Sequence, residues 1–321
     1  MKNRVTSALA VVAFALAAGV GTIEATAGAN TAPAAAAPAA TPAPAAGAPA
    51  PQTSPVVVRP VPPPAHKVDL VNRNVLRVCS DPANMPFSNA KGEGFENKIA
   101  SLVAEELKVP VEYVYFPMAT GFIRRTLFAK ACDIVIGYAQ GDEMVLNTNA
   151  YYRSTYALVY RTGQGLDGVT KLNDPRLQGK RVGVIAGTPP ANIMAKVGLM
   201  QFAKPYSLVV DRRFESPSED MIKDIRSGEI AAGVFWGPIG GYFGSRGGEK
   251  LTVVPIGDEG LGSSRLAFRI TMGVRAGEDD WKRQLNGIIA KRQGDIDQIL
   301  LDYGVPMIDE QNKQIIEARR Q

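Results

Sequence analysis

The sequence predicts an α/β protein of two lobes, each a doubly wound, mostly parallel sheet, with a cleft between them. Three features carry that expectation. From Val75 onward, short apolar runs of strand length alternate with segments whose apolar residues keep helical spacing. The alternation pauses across residues 161–174 and then starts afresh, as expected when one β-α-β unit follows another. Some runs, CDIVIGY among them, are almost wholly apolar, which suits strands covered by helices on both faces.

Residues 75–79 read as a β-branched strand, and 94–107 as a helix with Ile99, Leu102, Val103 and Leu107 on one stripe. A strand over 111–116 stops at Pro117. Residues 120–130 read as a second helix, with Phe122, Ile123, Leu127 and Phe128 inward and Arg124, Arg125 and Lys130 outward. Apolar strands follow at 133–138 and 155–160. The second set opens with a strand at 181–185 and a helix at 190–199. Ser216 starts another helix. Its hydroxyl suits a cap, Pro217 the first helical position and Glu219 the S-x-x-E box, and Gly228 ends it. Strands at 230–236 and 251–255 come next. A strand at 268–274 and helices at 278–293 and 295–303 read as a return to the first lobe. Lobe 1 is therefore expected over 67–161 and 267–321, and lobe 2 over 162–266. Ligands of such sheets bind outside the carboxyl ends of the strands. The segments after Cys79, Phe116, Tyr138, Ile185 and Trp236 should then face one cleft.

The ends of the chain obey other rules. Lys2 and Arg4, an apolar run over 8–20 and Ala25-Thr26-Ala27 give the order of a secretory signal peptide, 1–27. The run is short for a membrane span, so a soluble periplasmic protein without membrane insertion is expected. Residues 28–66 are nearly all Ala, Pro, Thr and Gly and bury too little apolar surface to fold; they read as a semi-stiff tether. The net charge of +5 comes from scattered Lys and Arg, not from a basic stripe interleaved with aromatics, which argues against nucleic acid. The lone His66 lies in the tether, and no Cys/His cluster has metal-ligand spacing, so no metal or cofactor is expected. Gly92-Glu93-Gly94 and Gly240-Gly241 read as turns, and there is no P-loop, nucleophile elbow or His-based triad. An enzyme is not expected. Cys79 and Cys132 would be oxidised in such a compartment, but they read as lying toward opposite ends of two parallel strands, where a bridge is hard to make. The sequence leaves the disulfide open.

LRVCSDPANMPFS, GFENKIASLVAEEL, CDIVIGY, NAYYRSTYALVYR, LQGKRVGVIAGTPP, SPSEDMIKDIRSGEIAAGVFWGP and DIDQILLDYG, in that order, resemble family 3 periplasmic solute-binding proteins, the polar amino-acid receptors of ABC importers. The resemblance spans residues 70–305 and implies the type II periplasmic binding protein fold. It also implies where an amino acid would be held. Met144 stands where such receptors place an Arg for the ligand's carboxylate, Trp236 where they place an Asp for its ammonium, and a further acidic position falls near Glu96 and Asn97. Without those clamps a buried zwitterion would lose its paired contacts, at a cost of several kcal/mol. Apolar and aromatic residues stand at the strand ends instead. Met85, Phe87, Phe95, Met118, Phe122, Tyr138, Tyr151, Tyr152, Thr188, Pro189 and Trp236, with Arg153, are the expected cleft residues, of the types that dominate protein–protein contacts.

LRVCSDPANMPFSN and CDIVIGYAQGDEMVLNTNAYYRSTYALVYR further resemble the J-type branch, encoded with PQQ-dependent methanol dehydrogenases, both calcium- and lanthanide-dependent. That likeness implies a monomeric accessory protein whose partner is the dehydrogenase or its cytochrome, with the lanthanide system favoured by the chain's compactness. The other reading is a receptor for a small apolar or quinone-like solute such as PQQ, linked to an ABC-type importer. A receptor needs converging polar anchors in a closable pocket; a clasp needs a broad apolar surface.

Overall fold

The computed structural model describes residues 70–257 and 265–319; the signal-peptide and tether readings, His66 included, lie outside them. In chain order the first elements are β1 (Leu76–Ser80), a small hairpin of β2 (Ala83–Asn84) and β3 (Ser88–Asn89), α1 (Phe95–Leu107), β4 (Val111–Tyr115), α2 (Phe122–Arg125), β5 (Ile134–Ala139), β6 (Leu146–Asn147) and β7 (Tyr152–Tyr160). The next are β8 (Val182–Ile185), α3 (Pro189–Lys196), β9 (Lys204–Tyr206), α4 (Pro217–Ser227), β10 (Ala232–Trp236), α5 (Gly237–Gly244) and β11 (Thr252–Pro255). Last come β12 (Ala267–Val274), α6 (Asp279–Lys291) and α7 (Gln293–Asp302).

The strands run in the order β4-β1-β5-β12-β7-β10-β8-β9. Pairing is parallel at both ends, among β4, β1 and β5 and among β10, β8 and β9. The two central strands, β12 and β7, run antiparallel to their neighbours. β7 serves both lobes. Its first residues, Tyr152 to Thr155, pair with β12, Tyr156 to Tyr160 pair with β10, and Ala157 to Tyr160 pair with β11 as well. The chain thus crosses within β7 and again ahead of β12.

Each half-sheet is covered on both faces, which is why its strands are apolar without alternation. In lobe 1, α1, α6 and α7 bring Phe95, Ile99, Val103, Leu285 and Leu300 onto Ile134, Ile136 and Met272. On the other face Phe122, Ile123 and Leu127 pack on Cys79 and Val135. Lobe 2 is built alike, with Ile193 and Leu199 against Val182 and Val184, and Met221, Ile222 and Ile225 against Val159 and Phe235.

Three local expectations are corrected. The helix expected over 120–130 is only α2, four residues long, followed by a turn. Phe128 N–H donates to Ile123 O and Ala131 N–H to Thr126 O, five residues back in each case, and this wider winding rotates Phe128 outward to 46% exposure. Gly240-Gly241 are not a turn but belong to α5. Glycine is a poor helix former, yet here contact demands it. A Cβ on Gly241 would lie 1.9 Å from Gly304 O, and one on Gly237 2.3 Å from Thr155 O. Lastly, Cys79 and Cys132 form a disulfide with Cα atoms 5.4 Å apart. Cys132 is not inside a strand. It sits in the turn before β5 and packs in the same cluster as Cys79, so the expected strand-end separation does not arise.

Candidate functional site

The carboxyl ends of β1, β5, β8 and β10 converge on the cleft between the lobes. A cavity of about 350 Å³ lies there, lined from lobe 1 by Asn84, Met85 and Asn89 and from lobe 2 by Ile185, Leu208 and Arg212. Asp81, just past β1 and 3% exposed, organises the lobe 1 wall. One carboxylate oxygen accepts from Ala83 N–H at 2.8 Å, the other from Met118 N–H at 2.7 Å. The second oxygen also faces Arg212 Nη1 of lobe 2 at 3.4 Å, so a charge pair spans the cleft.

Beside this cavity, lobe 1 carries a second, mostly apolar one of about 400 Å³, lined by Met118, Phe122, Ile123, Tyr138 and Met144. Asn84 Nδ2 lies 4.0 Å from Met118 Sδ and connects the linings of the two. Tyr138 Oη donates to Asp142 at 2.9 Å; burial first and that carboxylate second push its hydroxyl up to about 12. Opposite, the lobe 2 segment after β9 leaves Leu208, Val209 and Phe214 exposed at 54%, 84% and 82%.

The expected cleft residues divide. Met85, Met118, Phe122 and Tyr138 line these cavities, as does Met144, which stands where a carboxylate-binding Arg would be. Trp236 ends β10 half-buried, with the rings of Tyr156 and Phe268 5.5 and 5.7 Å away. Thr188 donates to Ile185 O at 2.7 Å, and Pro189 opens α3; both are half-buried. Five residues lie elsewhere. Phe95, Tyr151 and Tyr152 belong to the lobe 1 core, Phe95 and Tyr151 without exposure, because the first turn of α1 and the start of β7 pack on one another rather than project past the strand ends. Phe87, 5.2 Å from Phe95, packs against the same core. Arg153 instead ties down the C-terminal segment, donating to Asp309 O at 2.6 Å and Asn312 Oδ1 at 2.7 Å.

Two features have no clear signal in the sequence, and a third, Glu96, shows there only as an acidic position. Asp81 and Arg212 are 131 residues apart, and only the CSDPAN turn, which places an acid at a strand's carboxyl end, could have signalled the first. The exposed apolar side chains of Leu208, Val209 and Phe214 follow no period. Glu96 is the third. Its buried carboxyl lies over Gly137 (φ +83°), where a Cβ would come within 1.8 Å of Oε1. Burial, with the nearby Asp81 carboxylate, raises its pKa well above the usual 4.5. The folded state thus holds that proton more tightly than the unfolded chain. Stability is unaffected while both states are protonated and falls as pH rises from the unfolded value toward the folded one. Glu96→Gln removes the loss. Its melting temperature should exceed wild type at about pH 8 and meet it near about pH 4; parallel curves would place the effect elsewhere.

Among the described residues no group of three or more His, Cys, Asp or Glu side chains is arranged to hold a metal ion, and no helix is long and apolar enough to cross a membrane.

Residues 76–305 match the model of the bacterial extracellular solute-binding proteins, family 3. Protein MoxJ of Methylorubrum extorquens is 30% identical over 253 residues, 74% of this chain and 83% of that protein. Protein MoxJ of Paracoccus denitrificans is 27% identical over 252 residues, 74% and 91% of the two chains. The crystal structure of the periplasmic binding protein XoxJ from Methylobacterium extorquens AM1 shares 42% identity and superposes with a TM-score of 0.63, covering 73% of this chain and all of that one.

Proposed function

The chain belongs to the bacterial extracellular solute-binding proteins of family 3, and from that premise we propose that it is a non-catalytic periplasmic accessory protein of methanol oxidation. Its cleft binds a PQQ-dependent methanol dehydrogenase, or an assembly intermediate of it, for assembly or activation. The likeness to the J-type proteins supports the system; the surface supports the kind of ligand. One observation carries the reading. Met118, Tyr138 and Met144 line the apolar cavity beside the cleft on lobe 1, and the lobe 2 segment that supplies Leu208 to the cleft wall leaves Leu208, Val209 and Phe214 exposed. Monomeric soluble proteins seldom leave such patches uncovered, and a small solute would not need Phe214 at 82% exposure outside the pocket.

The test is calorimetry and pulldown with purified dehydrogenase, apo and holo. Phe214 is the clean probe because it packs on little; Trp236, held between two rings, would also cost stability. Phe214→Ala is expected to weaken binding by about 1 kcal/mol or more, the hot-spot threshold, with an unchanged melting temperature. An unchanged affinity removes the lobe 2 rim from the interface. Within this reading the lanthanide-type enzyme is the proposed partner, on the compactness of the chain, and a stronger interaction with the calcium-type enzyme would reverse that choice. A solute receptor is the second reading, favoured by the 350 Å³ cavity, which falls within the range of small-molecule sites. Tight binding of PQQ without any dehydrogenase contact would establish it instead.

A further inference from the structure

The two strands that pass between the lobes also carry a cluster of arginines. Arg153 of β7 and Arg269 of β12 are register partners. Like charges directly opposite on neighbouring strands are destabilising unless an anion compensates them. Arg265, two residues ahead of β12, brings a third guanidinium to the same pocket of about 210 Å³, which Gln140, Phe268 and Glu310 also line. One carboxylate enters it. Glu310, from the C-terminal segment, accepts from Arg269 Nε at 3.0 Å and Nη2 at 2.5 Å. That pairing, with Arg153 nearby, holds the Glu310 carboxyl below its usual range. Arg153 spends its own donors on Asp309 O and Asn312. Arg265 is exposed and makes no hydrogen bond or ion pair with a described residue.

The lining side chains are three guanidiniums to one carboxylate, and the Asp309 carboxylate beside Glu310 lies outside the lining, accepting from Gln311 and Lys313 N–H. Packing does not hold these side chains here, since Arg265 is exposed and Arg269 is 51% exposed. The fork of a guanidinium matches a carboxylate bidentately, and the pocket already shows that match once. We propose that it is an anion site for a small molecule bearing two or more carboxylates, with Glu310 standing in for one of them while the ligand is absent. Arg269 and Arg265 would each take a carboxylate, and the Gln140 amide would supply a further donor.

Citrate is the probe, titrated calorimetrically into the intact protein at constant ionic strength, with acetate as the single-carboxylate control. Saturable one-site binding of citrate and none of acetate is expected. Glu310→Gln removes the resident competitor and should tighten citrate several-fold. Arg265→Ala should weaken it about tenfold, the loss of a hydrogen bond to a charged group, without moving the melting temperature. Three results would overturn the assignment: no saturable citrate binding, a Glu310→Gln variant that binds no tighter, or a glutamate-rich peptide that binds here while citrate does not. The cleft reading is independent of this site, since Phe214→Ala should leave citrate binding untouched.

Discussion

Replacing Asp133 with alanine is expected to destabilise the protein by about 3–5 kcal/mol, the range for breaking a buried ion pair from one side. The carboxylate is 1% exposed and sits just ahead of β5. It accepts from Arg77 Nε and Nη2 at 2.8 and 2.7 Å, from Arg275 Nη2 at 2.7 Å and from Asn72 N–H at 3.1 Å. Its own backbone carbonyl accepts from Trp281 Nε1 at 3.1 Å. One residue therefore joins the segment entering lobe 1, β1, β5, the end of β12 and the start of α6. On its loss Arg77, at 21% exposure, can turn to water. Arg275, at 8%, keeps Glu278 as its one carboxylate beside the carbonyls of Leu127 and Cys132. The buried charge of Arg275 makes the substitution costly. Urea unfolding should show a lower midpoint at unchanged slope, with Asp133→Asn falling between the two proteins because it keeps the shape and one acceptor oxygen. A loss below about 1 kcal/mol would mean that the cluster behaves as an exposed ion pair.

What the sequence disclosed depended on how local the cause was. α4 was legible because its start and stop are written in adjacent residues. Ser216 caps, as expected, by accepting from Glu219 N–H at 3.4 Å, and Gly228 takes the left-handed conformation at φ +83°. β5 was legible because an apolar run needs no partner to be recognised. α5 was not, since its glycines answer to distant backbone, Gly237 to Thr155 and Gly241 to Gly304. The same holds at the site. Residues at strand carboxyl ends, Met85, Met118 and Tyr138, line the cavities because topology alone sends them there. Phe95 and Tyr151 were misplaced because the identical topology buries whichever neighbour points back at the sheet, and one residue of phase decides that. A pattern of residue types can nominate a wall of the cleft. It cannot tell that Arg212 crosses from the other lobe to Asp81, because that contact belongs to the arrangement of the lobes and not to any segment.

The cross-link between Cys79 and Cys132 should have the second large effect. It closes a segment with a sequence separation of 53. By the chain-entropy relation, a loop of that length contributes about 4 kcal/mol at 25 °C. The Cys79→Ala, Cys132→Ala variant should therefore melt roughly 10 °C lower, by the usual conversion for a chain of this size. Both sulfurs are buried, at 2% and 0% exposure, so a thiol reductant should leave the folded protein intact and act on unfolding. A melting temperature within about 2 °C of wild type would show that the turn is held without the cross-link. The cross-link and the carboxylate cluster also share parts. Arg275 Nη1 donates to Cys132 O while Nη2 holds Asp133, so the guanidinium grips the residue that the disulfide fixes. Removing either loosens the same turn. Their combined cost should fall short of the sum by more than the few tenths of a kcal/mol seen for independent sites. Strict additivity would instead mean that the disulfide acts only on the unfolded chain.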